Sequence, residues 1–103
     1  MSGRVKLLMT WDMKPGLDQQ EYFEFMMREF VPRITRLGLE PSEYWFTQYG
    51  DRPQFMAAAI AIDRRQLTAI LGSQDWSELE ARLMNFVVNL DKRVVSNPGG
   101  FNV

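Results

Sequence analysis

Apolar and polar residues alternate from Arg4 to Asp12: Val5, Leu7, Met9 and Trp11 fall on one parity, Lys6, Leu8, Thr10 and Asp12 on the other. A period of two is the signature of a strand, and Leu8 makes its second face partly apolar as well. The stretch reads as the centre strand of one sheet, running to about Asp12 or Met13. Lys14-Pro15-Gly16 ends it, because Pro lacks a donor and Gly permits the turn. Asp18 and Glu21 then form a capping box, with Leu17 placed to staple against Tyr22, so a helix starts near Gln19. Tyr22, Phe23, Met26, Met27, Phe30, Ile34 and Leu37 recur every three or four residues and predict a wide apolar stripe facing a sheet. Glu24 with Arg28 and Glu29 with Arg33 mark the solvated side. Pro32 predicts a kink rather than a stop, since the stripe continues past it. Gly38 closes the helix in the left-handed conformation, with Leu39 against Ile34 as in a Schellman motif.

Two β-prone runs follow, Ser42 to Tyr49 and Gln54 to Ile62, and the turn-rich Gly50-Asp51-Arg52-Pro53 between them predicts a hairpin. Asp63 caps a short helix, Arg64 to Leu71, that stops at Gly72. A second capping box, Asp75 with Glu78, predicts a longer helix whose stripe is Trp76, Leu79, Leu83, Phe86, Val87 and Leu90, with Glu78 and Arg82 paired outside. Arg93 to Ser96 reads as a short final strand before Asn97-Pro98-Gly99-Gly100 and the tail Phe101 to Val103. The order β, α, β, β, α, β is the α+β split arrangement of ferredoxin-like folds: a four-stranded antiparallel sheet with two main helices on one face. The other face keeps Leu8 and one apolar parity of strands two and three. A second copy of the chain is its expected cover, giving a homodimer joined through that sheet face.

With 103 residues the chain is expected to be a single domain, 1–103, around one core. A formal net charge of −1 supplies no field to attract nucleic acid or an anionic membrane. The longest apolar runs, such as Met56 to Ile62, fall far short of the roughly 20 residues of a bilayer span, so a soluble cytoplasmic protein without membrane or nucleic-acid partners is expected. The chain has no Cys and no His. Thiolate nucleophiles, imidazole bases, Ser-His-Asp triads, and Cys or His metal and haem ligation are thereby excluded. No metal site and no cofactor are expected, and catalysis, if present, must use carboxylates, Lys, Tyr, Arg or the reactivity of the substrate.

The Lys14-Pro15-Gly16 turn with its capped aromatic helix, and Leu71 to Trp76 (LGSQDW) between a short and a longer helix, resemble the dimeric α/β-barrel superfamily. This group includes stress-responsive barrel proteins, NIPSNAP-like proteins and antibiotic-biosynthesis monooxygenases. The resemblance implies ferredoxin-like monomers pairing sheet to sheet. Members that oxygenate substrates or degrade haem often place Asn, Trp and His around the substrate. Here Asn85, Asn89 and Trp residues are present and His is not, which argues against haem degradation and leaves oxygenase activity without a carrier.

In this topology Trp11, Asp12, Tyr49, Arg52 and Phe55 converge on one end of the sheet, where the first helix brings Tyr22, Phe23 and Met26 and the long helix brings Asn85, Phe86 and Asn89. Aromatic walls with a few polar groups compose a small-molecule pocket. The candidate ligand-binding residues are therefore Trp11, Asp12, Tyr22, Tyr49, Arg52 and Asn89, with Trp11 as a wall and Asp12, Tyr49 or Asn89 orienting an apolar or aromatic molecule. Against this stand plainer readings: Asp12 solvated at a strand end, Tyr44, Trp45 and Tyr49 as core or interface, Arg64-Arg65 as a solvated helix start, and the methionines as core filling. A small-molecule barrel, as carrier or as monooxygenase-like or isomerase-like enzyme, and a non-catalytic dimeric interaction module are the two functional classes that remain.

Overall fold

The computed structural model describes residues 3–49 and 52–96, and side chains there except those of residues 45–49, 52 and 53. The order is β1 (Val5–Met13), α1 (Gln19–Phe25), a π-helical turn (Met26–Phe30), α2 (Val31–Leu37), β2 (Glu40–Tyr49), β3 (Arg52–Ala61), α3 (Arg64–Leu71), α4 (Gln74–Leu83) and β4 (Val87–Ser96). The four strands form one antiparallel sheet in the order β2-β3-β1-β4. This is the expected ferredoxin-like architecture, with β1 central. The Asn97 to Gly100 break and the tail lie outside the described residues.

Alternation decides which side of the sheet is buried. Val5, Leu7, Met9 and Trp11 of β1 pair with Ala61, Ala59, Ala57 and Phe55 of β3, and all eight belong to the core under the helices. Three alanines in a row let the helices approach closely, while Phe55 fills the end of the row.

Asp18 caps α1 by accepting from the Gln20 amide at 2.9 Å. Pro32 does not stop the helix. The Val31 amide reaches back five residues to the Met26 carbonyl, so the widened turn ends where α2 begins, with Pro32 in the first turn of α2, a position that needs no donor. The buried stripe is Tyr22, Phe25, Met26, Phe30 and Ile34. Phe23 and Met27, expected on it, are 40% and 70% exposed, while Phe25, not expected there, is buried. Gly38, at φ 108°, closes α2 as a Schellman motif: its amide donates to Thr35 and that of Leu39 to Ile34.

The second half corrects the sequence reading. Ser73, not Asp75, caps α4, its hydroxyl accepting from the Trp76 amide at 3.1 Å. The helix ends at Leu83 rather than continuing through Leu90, and the final strand begins at Val87 rather than Arg93. A β-bulge causes the misreading. Thr10 pairs with Asp91 but Asp12 pairs with Val88, so Asn89 and Leu90 together oppose Trp11. Asn89 has φ 59°, the left-handed conformation that Asn tolerates better than most residues. The inserted residue leaves Val87 buried and Leu90 packed on the same core although they lie three apart, a spacing that imitates a helix. Arg82, expected to pair with Glu78, is bridged to Glu29 across the helical layer. Glu80 ties α4 to β4: its Oε1 accepts from Trp76 Nε1 at 2.9 Å and from Lys92 Nζ at 2.6 Å.

Candidate functional site: an apolar cleft beside a Trp–Tyr–Tyr chain

Ala57 is small, and the space above it stays open. Met9 and Ala57 form the floor, Met26, Phe30 and Ile34 of the π turn and α2 form one wall, and Tyr44 of β2 forms the other, around a cleft of about 180 Å³ whose surface is almost wholly apolar. Phe23 and Met27, the two exposed hydrophobics of the first helix, lie at its rim. A larger hollow of about 430 Å³ lies between Glu21, Glu24, Arg28, Glu29 and Arg82, but its rim is charged and two of those groups pair with each other.

Beside the cleft runs a chain of three aromatic side chains. Trp11 Nε1 donates to Tyr22 Oη at 2.9 Å, and Tyr22 Oη lies 3.0 Å from Tyr44 Oη. Trp11 is 1% exposed, Tyr22 0% and Tyr44 46%, so the chain leads from the core to the surface of the β2 edge. Phe55 packs among them, its ring centre 5.0 Å from that of Tyr22 and 6.2 Å from that of Tyr44. Burial holds the Tyr22 phenol far above the ordinary range, with the bond to Tyr44 the next contribution. Tyr44 is also raised by burial, partly offset by its bond to Tyr22. Both are neutral phenols at physiological pH.

The six expected site residues therefore divide. Trp11 and Tyr22 are brought together, one step behind the cleft wall. Asp12, on the opposite parity, is 6% exposed and accepts from Asn89 Nδ2 at 2.9 Å, a pair fixed by the β4 bulge. Trp11 stands among the helix-facing core residues and Asp12 alternates away from them, so the two do not share a pocket wall. Tyr49 and Arg52 are backbone partners at the hairpin end, with side chains outside the described set. Met9, Ala57 and the π turn were not singled out from sequence. The available signal was the contrast of a three-alanine run with the bulky residues around it. Arg64 and Arg65 are exposed at the start of α3, as the plainer reading holds.

Among the described residues no group of three or more Asp or Glu is placed to hold a metal ion, and no helix is long and apolar enough to cross a membrane.

No protein-family model matches the sequence, and no curated protein matches it. Solved structures do. A NIPSNAP family protein from Agrobacterium tumefaciens superposes with TM-score 0.69 at 17% identity, covering 98% of this chain and 91% of that one. The cofactor-independent oxygenase SnoaB from Streptomyces nogalater gives 0.69 at 9% identity over 93% of this chain and 94% of its own. A dimeric protein of unknown function and ferredoxin-like fold from Bacteroides fragilis gives 0.66 at 11% over 92% and 97%. The chain thus has the ferredoxin-like fold that NIPSNAP family proteins share with cofactor-independent oxygenases, as the turn and helix motifs led one to expect.

Proposed function

We propose that this protein binds a small apolar or aromatic molecule in the cleft between the π turn and β2, and does so as a homodimer joined through the helix-free sheet face. The observation that carries the ligand reading is the cleft itself: about 180 Å³ walled by Met9, Met26, Phe30, Ile34, Tyr44 and Ala57, with a half-exposed phenol as its polar neighbour. Its volume lies below the ~300 Å³ at which drug-sized pockets begin, so the occupant is a molecule of one or two rings. The homodimer is supported by the uncovered face, where Leu8, Met56, Ile60 and Val95 are only partly buried in the single chain. The Bacteroides fragilis protein of this fold is itself described as dimeric.

Indane, a two-ring hydrocarbon, tests the ligand reading by titration against the emission of the Trp residues. Saturable binding is expected for the native protein, and Ala57→Leu, which fills the floor, should weaken it at least about tenfold while folding is retained. Equal affinity in Ala57→Leu places binding elsewhere.

A further inference from the structure

The chain has seven Met and no Cys, so its thioethers are the side chains that a two-electron oxidant meets first. What separates one methionine from another is its cover. Three of them, Met9, Met26 and Met27, line the apolar cleft. Met9 is 1% exposed and Met26 3%, so floor and wall are closed to a reagent arriving in water. Met27, in the π turn at the rim, is 70% exposed. It stands on the helix side of the sheet, away from the face proposed for the second copy. A thioether packs on an apolar molecule much as an alkyl chain does, whereas its sulfoxide is a polar group that seeks water. The cleft thus has one oxidisable position at its mouth and two shielded ones inside.

Resting on the reading of the cleft as a ligand site, we propose that Met27 is an oxidative modification site that controls it: a peroxide converts the rim thioether to a sulfoxide, and the cleft loses its hold on an apolar occupant. A lone pair of Met27 Sδ attacks one peroxide oxygen, and the O–O bond breaks as the S–O bond forms. With hydrogen peroxide the other oxygen leaves as water; sulfur gives up two electrons and the peroxide is reduced. The oxidised side chain turns to solvent, as its exposure permits, and takes its contact away from the occupant. Losing one methylene-sized apolar contact weakens binding about fourfold. Met9 and Met26 keep their thioethers under cover, so the core is unaltered and reduction of one sulfoxide restores the site.

Met84 supplies the control, being 42% exposed at the end of α4 and lining a different hollow. The folded protein is treated with dilute hydrogen peroxide, the oxidised methionines are located by peptide mass spectrometry, and indane is titrated before and after, with circular dichroism as the check on folding. Met27 should oxidise ahead of Met9 and Met26, and indane affinity should fall about fourfold or more as it does. Methionine sulfoxide reductase should bring the affinity back. Met84→Leu should lose affinity on treatment as the native protein does, whereas Met27→Leu, whatever its starting affinity, should keep it although Met84 still oxidises. Met9 or Met26 oxidising as fast as Met27, an affinity unchanged once Met27 is oxidised, or an equal loss in Met27→Leu overturns the proposal. A native protein that does not bind indane before any peroxide is added removes the cleft as a ligand site, and the control by Met27 with it.

Discussion

Tyr22 carries the largest consequence of any single residue. It is fully buried, accepts from Trp11 and shares a 3.0 Å hydrogen bond with the Tyr44 hydroxyl. Its native pKa stands above the value of about 10 it has in the unfolded chain, so the sign of the pH effect follows. Below pH 10 both states keep the proton and stability does not depend on this group. Above it the unfolded chain releases the proton and the native state does not, so stability falls by about 1.4 kcal/mol per pH unit for each such phenol. Urea unfolding from pH 8 to 12 should show this decline, and Tyr22→Phe should make it shallower. The same variant should cost about 1–3 kcal/mol at pH 8, because the Trp11 N–H is left without its acceptor. Both aromatics were marked in the sequence by their strand-end and first-turn positions. Their hydrogen bond was not, since it depends on how far the helix stands off the sheet, which the alanines of β3 set.

The elements show where pattern reading works and where it fails. β1, the capped start of α1 and the glycine closure of α2 follow from local chemistry, and each stands where the periodicity put it. The stretch from Leu83 to Leu90 does not, because a bulged strand and a helix both bring residues three apart to one face. Nothing in the spacing of Leu83, Phe86, Val87 and Leu90 separates the two. Only the left-handed Asn89 distinguishes them, and that conformation belongs to the pairing with β1. Its contribution divides into backbone and side chain. Asn89→Ala should destabilise by about 1–2 kcal/mol, losing the bond to Asp12 and straining a positive φ, whereas Asn89→Gly keeps the backbone at ease and should cost less. Equal losses in thermal or urea unfolding would show that the turn places no demand on the backbone.

For the molecule as a whole, the shortest dimension of 20 Å is the thickness of one sheet and one layer of helices. Among the described residues the far side of the sheet therefore has no layer of its own. Lys6 and Glu43 are bridged at 3.4 Å, beside partly buried Leu8 and Ile60. Under the proposed homodimer, light scattering at micromolar concentration should give twice the chain mass, and Ile60→Asp should give a monomer with unchanged circular dichroism. A native monomer would remove the dimer and leave the cleft, on the opposite side of the sheet, unaffected. The bare face was legible from the two apolar parities of the hairpin strands. The cleft was not, because a void is a property of several elements at once.

Strand β4 forms one border of the sheet, and the backbone groups that a border strand turns outward are a template on which a stray strand can add and start a fibril. The bulge at Asn89 interrupts that template after its first two residues, twisting the border where a flush ladder would otherwise invite growth. Removing Asn89 would keep Val87 and Leu90 facing inward while joining the two halves of the border into one run. The extra residue is therefore not needed to keep Val87 and Leu90 on the core, and it breaks the flush ladder on which a copy of the chain could add strand by strand.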